Sequence, residues 1–148
     1  MRTIEWDAGT VRMIDQRRLP GELIILNLTD YRDVARAIRE MAIRGAPAIG
    51  AAAAFALALG ARQSTARNRD DLLTELNAVA QTLRQTRPTA VNLFWAIERL
   101  LARAQAPELR TTAEIVAALE AEAQSLADED VVINRRIGEH GAEVISDG

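Results

Sequence analysis

Apolar residues follow two patterns along the chain, and the change comes near Thr29. Before it, residues 3–6 (TIEW) and 11–15 (VRMID) are short runs rich in β-branched and aromatic residues. Asp7, Ala8 and Gly9 between them have turn chemistry. Leu19-Pro20-Gly21 marks a second turn, and residues 22–28 (ELIILNL) are dense in branched aliphatics. A three-stranded antiparallel meander over 1–28 is predicted.

From residue 29 the apolar spacing becomes helical. Val34, Ala35, Ile38, Met41 and Ala42 make one stripe, with Thr29 or Asp30 as its N-cap and Gly45 as its stop. Pro47 opens a second helix running to about Gly60. Leu72, Leu76, Val79 and Leu83 place a third helix after a polar connection. Residues 92–104 (NLFWAIERLLARA) make a fourth, and Thr111 or Thr112 caps a last long helix from Ala113 to near His140. On that helix Leu119, Ala123, Leu126 and Val131 face inward. The fold class is therefore α+β and mainly α, a small N-terminal meander followed by a bundle of about five helices over 29–148.

The second helix stands apart, because no charge occurs between Arg44 and Arg62. Its alanines and glycines suit close helix packing. Gly50 and Gly60 would each cost about 1 kcal/mol against alanine without such packing. Trp6, Phe94 and Trp95 are expected in the core, His140 as a structural residue near a helix end, and Asp128-Glu129-Asp130 as solvated surface.

Composition narrows the chemistry. With 148 residues and 49% hydrophobic content the chain is long enough for a core. A net charge of −3 and 3% aromatics argue against a nucleic-acid partner. The absence of cysteine removes disulfides, thiolate metal sites and a thiol nucleophile from this chain. All 18 basic residues are arginine, so no lysine can form a Schiff base. A single histidine excludes a histidine cluster. No metal or cofactor is called for. The first ten residues lack the apolar core of a signal peptide, and residues 45–61 fall short of a membrane span of about 20 residues. A soluble, cytoplasmic protein with no membrane partner is expected.

Two arginines raise a sharper question. Arg44 lies in Arg-Gly-Ala-Pro (44–47) and Arg87 in Arg-Pro-Thr-Ala (87–90). Each precedes a proline able to begin a helix. A helix N-terminus already carries about half a positive charge, so an added cation there is unfavourable unless an anion sits nearby. Brought together, the two would hold a phosphate between helix N–H donors and guanidinium forks, with Gly45 letting it approach the backbone. The alternative is structural: Arg44 caps the C-terminus of the preceding helix, and Arg87 pairs with Glu98 or Asp70.

Longer strings carry a resemblance. TIEWD (3–7), IDQRRLP (14–20), AIREMAIRGAPAIGAAAAF (37–55), TRPTAVNLFWAI (86–97) and NRRIGEHGAE (134–143) occur in this order. Together they closely resemble the N-terminal part of the methylthioribose-1-phosphate isomerases, relatives of the regulatory subunits of translation initiation factor 2B. The resemblance covers essentially the whole chain. RGAPAIG beside RPTAVNL favours the isomerases over the initiation-factor relatives.

The resemblance implies conversion of an aldose 1-phosphate into a ketose 1-phosphate in methionine salvage. The site would lie between a small helical N-terminal domain, here 1–148, and a Rossmann-like C-terminal domain absent from this chain. It implies substrate contacts from Arg44, Gly45, Ala46 and Arg87. The family's catalytic cysteine follows a His-Gly-Ala stretch like that at 140–142, and its catalytic aspartate lies further on. This chain reaches neither, so it is expected to bind the sugar phosphate, to hold no catalytic residue and to be inactive alone. Its expected partners are the substrate, the missing C-terminal domain (which a separately produced half could supply) and a second copy in a homodimer. The alternative is a helical assembly module similar to the initiation-factor subunits, without sugar-phosphate turnover.

Overall fold

The computed structural model describes residues 2–146. Strands β1 (Ile4–Asp7), β2 (Thr10–Ile14) and β3 (Ile25–Leu28) form an antiparallel sheet in the order β1-β2-β3. Asp7 pairs with Thr10, which leaves Ala8 and Gly9 as a two-residue hairpin loop. Both have positive φ, 47° and 89°, the turn whose twist matches the strands it joins. Val11 and Met13 alternate inward and are fully buried.

Five α-helices follow: α1 (Tyr31–Arg39), α2 (Ala46–Gln63), α3 (Arg69–Arg84), α4 (Val91–Ala104) and α5 (Thr112–Ser146). Helix α2 runs through the centre and packs on α1, α3, α4 and α5. From Ile49 to Ala61 every residue is buried, which is why no polar face interrupts the run. A Cβ on Gly60 would stand 2.9 Å from a methyl of Val79 on α3, and one on Gly50 would stand 3.3 Å from the Asn92 carbonyl on α4. Both glycines therefore sit where backbones come close.

Helix α1 ends earlier than its stripe predicts. Met41 takes the left-handed conformation at φ 64°, and the Ala42 N–H donates to the Ala37 carbonyl at 2.9 Å. These features make a Schellman ending with methionine where glycine was expected. Met41 is accordingly exposed instead of inward. Gly45 belongs to the next helix, as the N-cap of α2. Val131 is likewise only half-buried.

The linker between α1 and α2 is tied to the sheet. Gln16 N–H donates to the Ala42 carbonyl at 2.8 Å, beside the turn of 3₁₀ helix at Gln16–Arg18. Asp15 caps that turn and is 3% exposed. Its carboxylate accepts from the Arg17 backbone N–H at 3.1 Å, from Nε at 2.9 Å and from Nη2 at 2.8 Å. Arg17 Nη1 reaches on to Glu40 at 3.0 Å.

Hydrogen bonds from the Arg17 side chain hold the Asp15 carboxyl below the usual carboxylate range, against the opposing effect of its burial. A lowered folded-state value means stability that is present above about pH 4 and lost as the pH falls through that value. Asp15→Asn is expected to cost about 2 kcal/mol at pH 7, the scale for hydrogen bonds to a charged group. Urea unfolding at pH 7 and pH 3 should show the gap between variant and wild type shrinking in acid. An equal gap at both values would contradict this.

Candidate anion-binding cleft

Three of the five helices begin with a side-chain cap. Asp30 accepts from Arg32 N–H on α1, Asn68 from Asp71 N–H on α3, and Thr111 Oγ1 from Glu114 N–H at 3.1 Å on α5. Helices α2 and α4 have no such cap. Their first N–H groups are left for water or a ligand. Gly45, the N-cap of α2, has φ 91°, a conformation that favours glycine, and a Cβ there would meet nothing within 4 Å. Conformation, not crowding, calls for glycine, and the backbone stays open to approach.

The N-termini of these two helices line one cleft of about 440 Å³. Arg44, Gly45 and Ala46 form the α2 side; Arg87, Thr89, Ala90, Val91 and Asn92 form the α4 side. Such a volume lies within the range of small-ligand pockets, about 300–1,000 Å³. The residues proposed from sequence as substrate contacts thus share a single cavity. Pro88 differs from its reading as a first helical residue. It lies in a turn closed by the Ala90 N–H on the Arg87 carbonyl at 3.0 Å, and α4 starts three residues later.

Neither structural alternative for the arginines is realised. Helix α1 ends at Arg39, so Arg44 does not cap it. Glu98 is taken by Arg84 at 2.6 Å. Several other arginines are paired: Arg2, Arg17, Arg62, Arg99 and Arg103 each hold a carboxylate within 3.1 Å. Among the described residues, the Arg44 and Arg87 guanidinium groups have no hydrogen-bond or ion-pair partner. Among the described residues, no carboxylate lines the cleft they share. Two cations and two uncapped helix N-termini around one cavity would favour a dianion there.

Two further cavities flank the cleft. One, of about 340 Å³, lies beside Arg44 and Gly45 and reaches Arg2, Thr3 and Asp130. The other, of about 400 Å³, runs between α2, α4 and α5 and is lined by Pro47, Gly50, Val91, Asn92, Trp95, Leu126, Glu129 and Asp130. Burial raises the Asp130 carboxyl above its ordinary value.

The remaining sequence candidates fall differently. Trp6 is partly buried and stacks on Phe55, with ring centroids 5.7 Å apart. Phe94 is half-buried, but Trp95 is 54% exposed and not in the core. The acidic triplet is more than solvated surface. Asp128 holds Arg2 at 2.6 Å, Glu129 holds Arg99 at 2.7 Å, and Asp130 lines two cavities. His140 is exposed on α5. Thr89 and Asn92, hydrogen-bonding side chains that line the cleft with the arginines, carry no signal of their own in the sequence beyond falling within the Arg-Pro-Thr string and its continuation.

The family model described as "Initiation factor 2 subunit family" matches residues 42–148. A methylthioribose-1-phosphate isomerase of Syntrophotalea carbinolica is 51% identical over 147 residues, covering 99% of this chain and 43% of that protein. The isomerase of Geotalea uraniireducens is 49% identical, with 99% and 42% covered. The chain thus spans about two fifths of the length of these curated relatives. The crystal structure of 5-methylthioribose 1-phosphate isomerase from Pyrococcus horikoshii OT3 superposes with a TM-score of 0.92 at 44% identity, over 97% of this chain and 40% of that one. The delta subunit of translation initiation factor eIF-2B from A. fulgidus superposes with a TM-score of 0.90 at 43% identity, over 97% and 42%.

Proposed function

Because the chain belongs to the initiation factor 2 subunit family, we propose that it is the N-terminal, substrate-gripping part of a methylthioribose-1-phosphate isomerase. One observation carries this reading. Arg44 and Arg87, neither with a hydrogen-bond or ion-pair partner among the described residues, line a single cleft at two uncapped helix starts. A phosphate dianion there would receive guanidinium forks and backbone N–H donors at once. Thr89 and Asn92 offer neutral donors and acceptors for sugar hydroxyls.

The same lining limits what this part can do. Interconverting an aldose and a ketose moves a proton between neighbouring carbons, which needs an acid and a base within hydrogen-bond reach. Arginine does not give up its proton near neutrality, and the cleft's remaining residues are Gly, Ala, Val, Ile, Met, Thr and Asn. None can serve as a base of suitable strength. The cleft binds and orients, and the proton-transferring groups come from beyond this part.

A second reading has its own support. The eIF-2B delta subunit fits nearly as well as the isomerase does, so the backbone alone does not choose between sugar-phosphate binding and a helical assembly module. Calorimetric titration of this chain with inorganic phosphate and with methylthioribose 1-phosphate separates the two. We expect a dissociation constant near the millimolar range, since part of the site is missing. No ketose 1-phosphate should form. Turnover by this chain would overturn the division of labour, and absence of binding together with a stable oligomer would favour the assembly module.

A further inference from the structure

Among the described residues only two polar side chains are buried, Asp15 and Thr86, at 3% and 7% exposure. Neither lines the cationic cleft, yet each stands behind one of its arginines. A polar group is costly to bury, and once fully hydrogen-bonded it fixes one arrangement of the chain around it. Among the described residues no buried side-chain nitrogen or oxygen lacks a partner.

Asp15 acts on the linker between α1 and α2. Its N–H donates to the Ile24 carbonyl at 2.8 Å and its carbonyl accepts from the Arg18 N–H at 3.2 Å, which holds the 3₁₀ turn beside the sheet. From that turn the Gln16 N–H reaches the Ala42 carbonyl, and Arg17, clamped on Asp15, reaches Glu40. The linker is thus gripped at Glu40 and again at Ala42, just before Arg44. Ala42 and Ile43 are fully buried, so Arg44 leaves the protein from a fixed stretch of chain.

Thr86 has the matching place before α4. Its hydroxyl donates to the Leu83 carbonyl at 2.6 Å, and its N–H donates to the same oxygen at 3.1 Å. Arg87 follows directly, between this closed end of α3 and the turn in which its own carbonyl accepts from the Ala90 N–H. The Arg44 and Arg87 guanidinium groups have no hydrogen-bond or ion-pair partner among the described residues. What places them is the backbone that carries them. An arginine on a loose linker loses backbone as well as rotamer freedom when it grips an anion, whereas one on a fixed linker loses only its own rotamers.

We propose that Asp15 and Thr86 are positioning residues for the anion cleft, Asp15 setting Arg44 and Thr86 setting Arg87. The inference rests on the reading of the cleft as a phosphate grip. It assigns the two buried polar side chains a role in binding, exerted through an arginine that neither touches.

The test is titration of the ¹⁵N-labelled chain with inorganic phosphate at pH 7 and constant ionic strength, read from the amide shifts of Gly45 and Ala90. The same spectra show whether each variant is folded. Asp15→Asn should weaken phosphate binding about fivefold, and Thr86→Val about threefold, within the range for coupled neighbours. The effects should be selective. Asp15→Asn should keep most of its effect in an Arg87→Ala background and lose it in Arg44→Ala. Thr86→Val should do the opposite. Glu40 is exposed, so Glu40→Gln is expected to fold even where Asp15→Asn does not. It should weaken binding in the same direction by a smaller factor, again only while Arg44 is present. Equal effects in both arginine backgrounds would mean a general structural role and overturn the proposal, as would unchanged affinity in the folded variants. Either result leaves the cleft standing, because wild type still binds phosphate. Failure of wild type to bind phosphate would overturn the cleft and this inference together.

Discussion

Replacing Phe55 with alanine is expected to lower the free energy of unfolding by about 3–5 kcal/mol, the range for large aromatic truncations in a core. Phe55 is fully buried on α2 and stacks on Trp6 at an interplanar angle of 25°. Its flanking residues on the same helix, Ala52, Ala53, Ala54, Ala56 and Ala58, are fully buried and have no side chain long enough to refill the space. The hole should therefore persist, which places the cost toward the upper end. Against a typical total of about 5–15 kcal/mol this is a large fraction. Urea unfolding checks it, with the midpoint expected to fall and the slope to stay unchanged. A loss below about 1.5 kcal/mol would show that the helices around α2 can close in, contrary to the close backbone approaches at Gly50 and Gly60.

The second large effect concerns binding. Arg44→Ala and Arg87→Ala should each weaken phosphate binding by roughly tenfold to a hundredfold, corresponding to the loss of a charge-assisted contact. The double variant should lose less than the sum of the two, because both side chains grip one anion. Stability without ligand should move the other way. Neither guanidinium holds a partner among the described residues, so none of their carboxylates is orphaned by its removal. Arg44→Ala also relieves a cation at the start of α2, worth a few tenths of a kcal/mol to stability. Binding is lost while the ligand-free protein stays as stable as before, or slightly more so. A structural arginine would show the reverse, which makes the combination of calorimetry and unfolding decisive.

Much of the fold is legible in the sequence because the two apolar periods differ so clearly. The β-branched alternation before Thr29 produced the meander, and helical stripes such as Leu72, Leu76, Val79 and Leu83 became the buried faces they suggest. Helix α2 announced its central position by the lack of any charge from Gly45 to Ala61. Helix ends were harder to read. Gly45 looks like the stop of α1, yet Met41 takes the left-handed ending and Gly45 starts α2, since either residue lets the chain close its last carbonyls. Pro88 looks like a helix start but shapes the turn before one.

Trp95 is exposed where its apolarity suggests the core. The stripe Leu93, Ala96, Ile97 and Leu100 already fills the inward face of α4, and Val91, Trp95 and Glu98 follow one another along the opposite side. Helical period pointed outward while apolarity suggested the core, and period was the better guide. Each arginine of the cleft was visible singly, as a cation in a place a helix disfavours. That the two meet in one cavity depends on how α2 packs against α4, through Gly50 and the Asn92 carbonyl, and no local signal carries it.

The most direct measurement is thermal unfolding of this chain with and without millimolar methylthioribose 1-phosphate, in wild type and in Arg44→Ala. A ligand that binds only the folded state raises the midpoint, here by a few degrees when it is well above its dissociation constant. The expected result is a rise in wild type alone, with both proteins unfolding at nearly the same temperature when no ligand is present. An equal rise in the two, or no rise in wild type, would contradict an anion grip built on Arg44 at the start of α2.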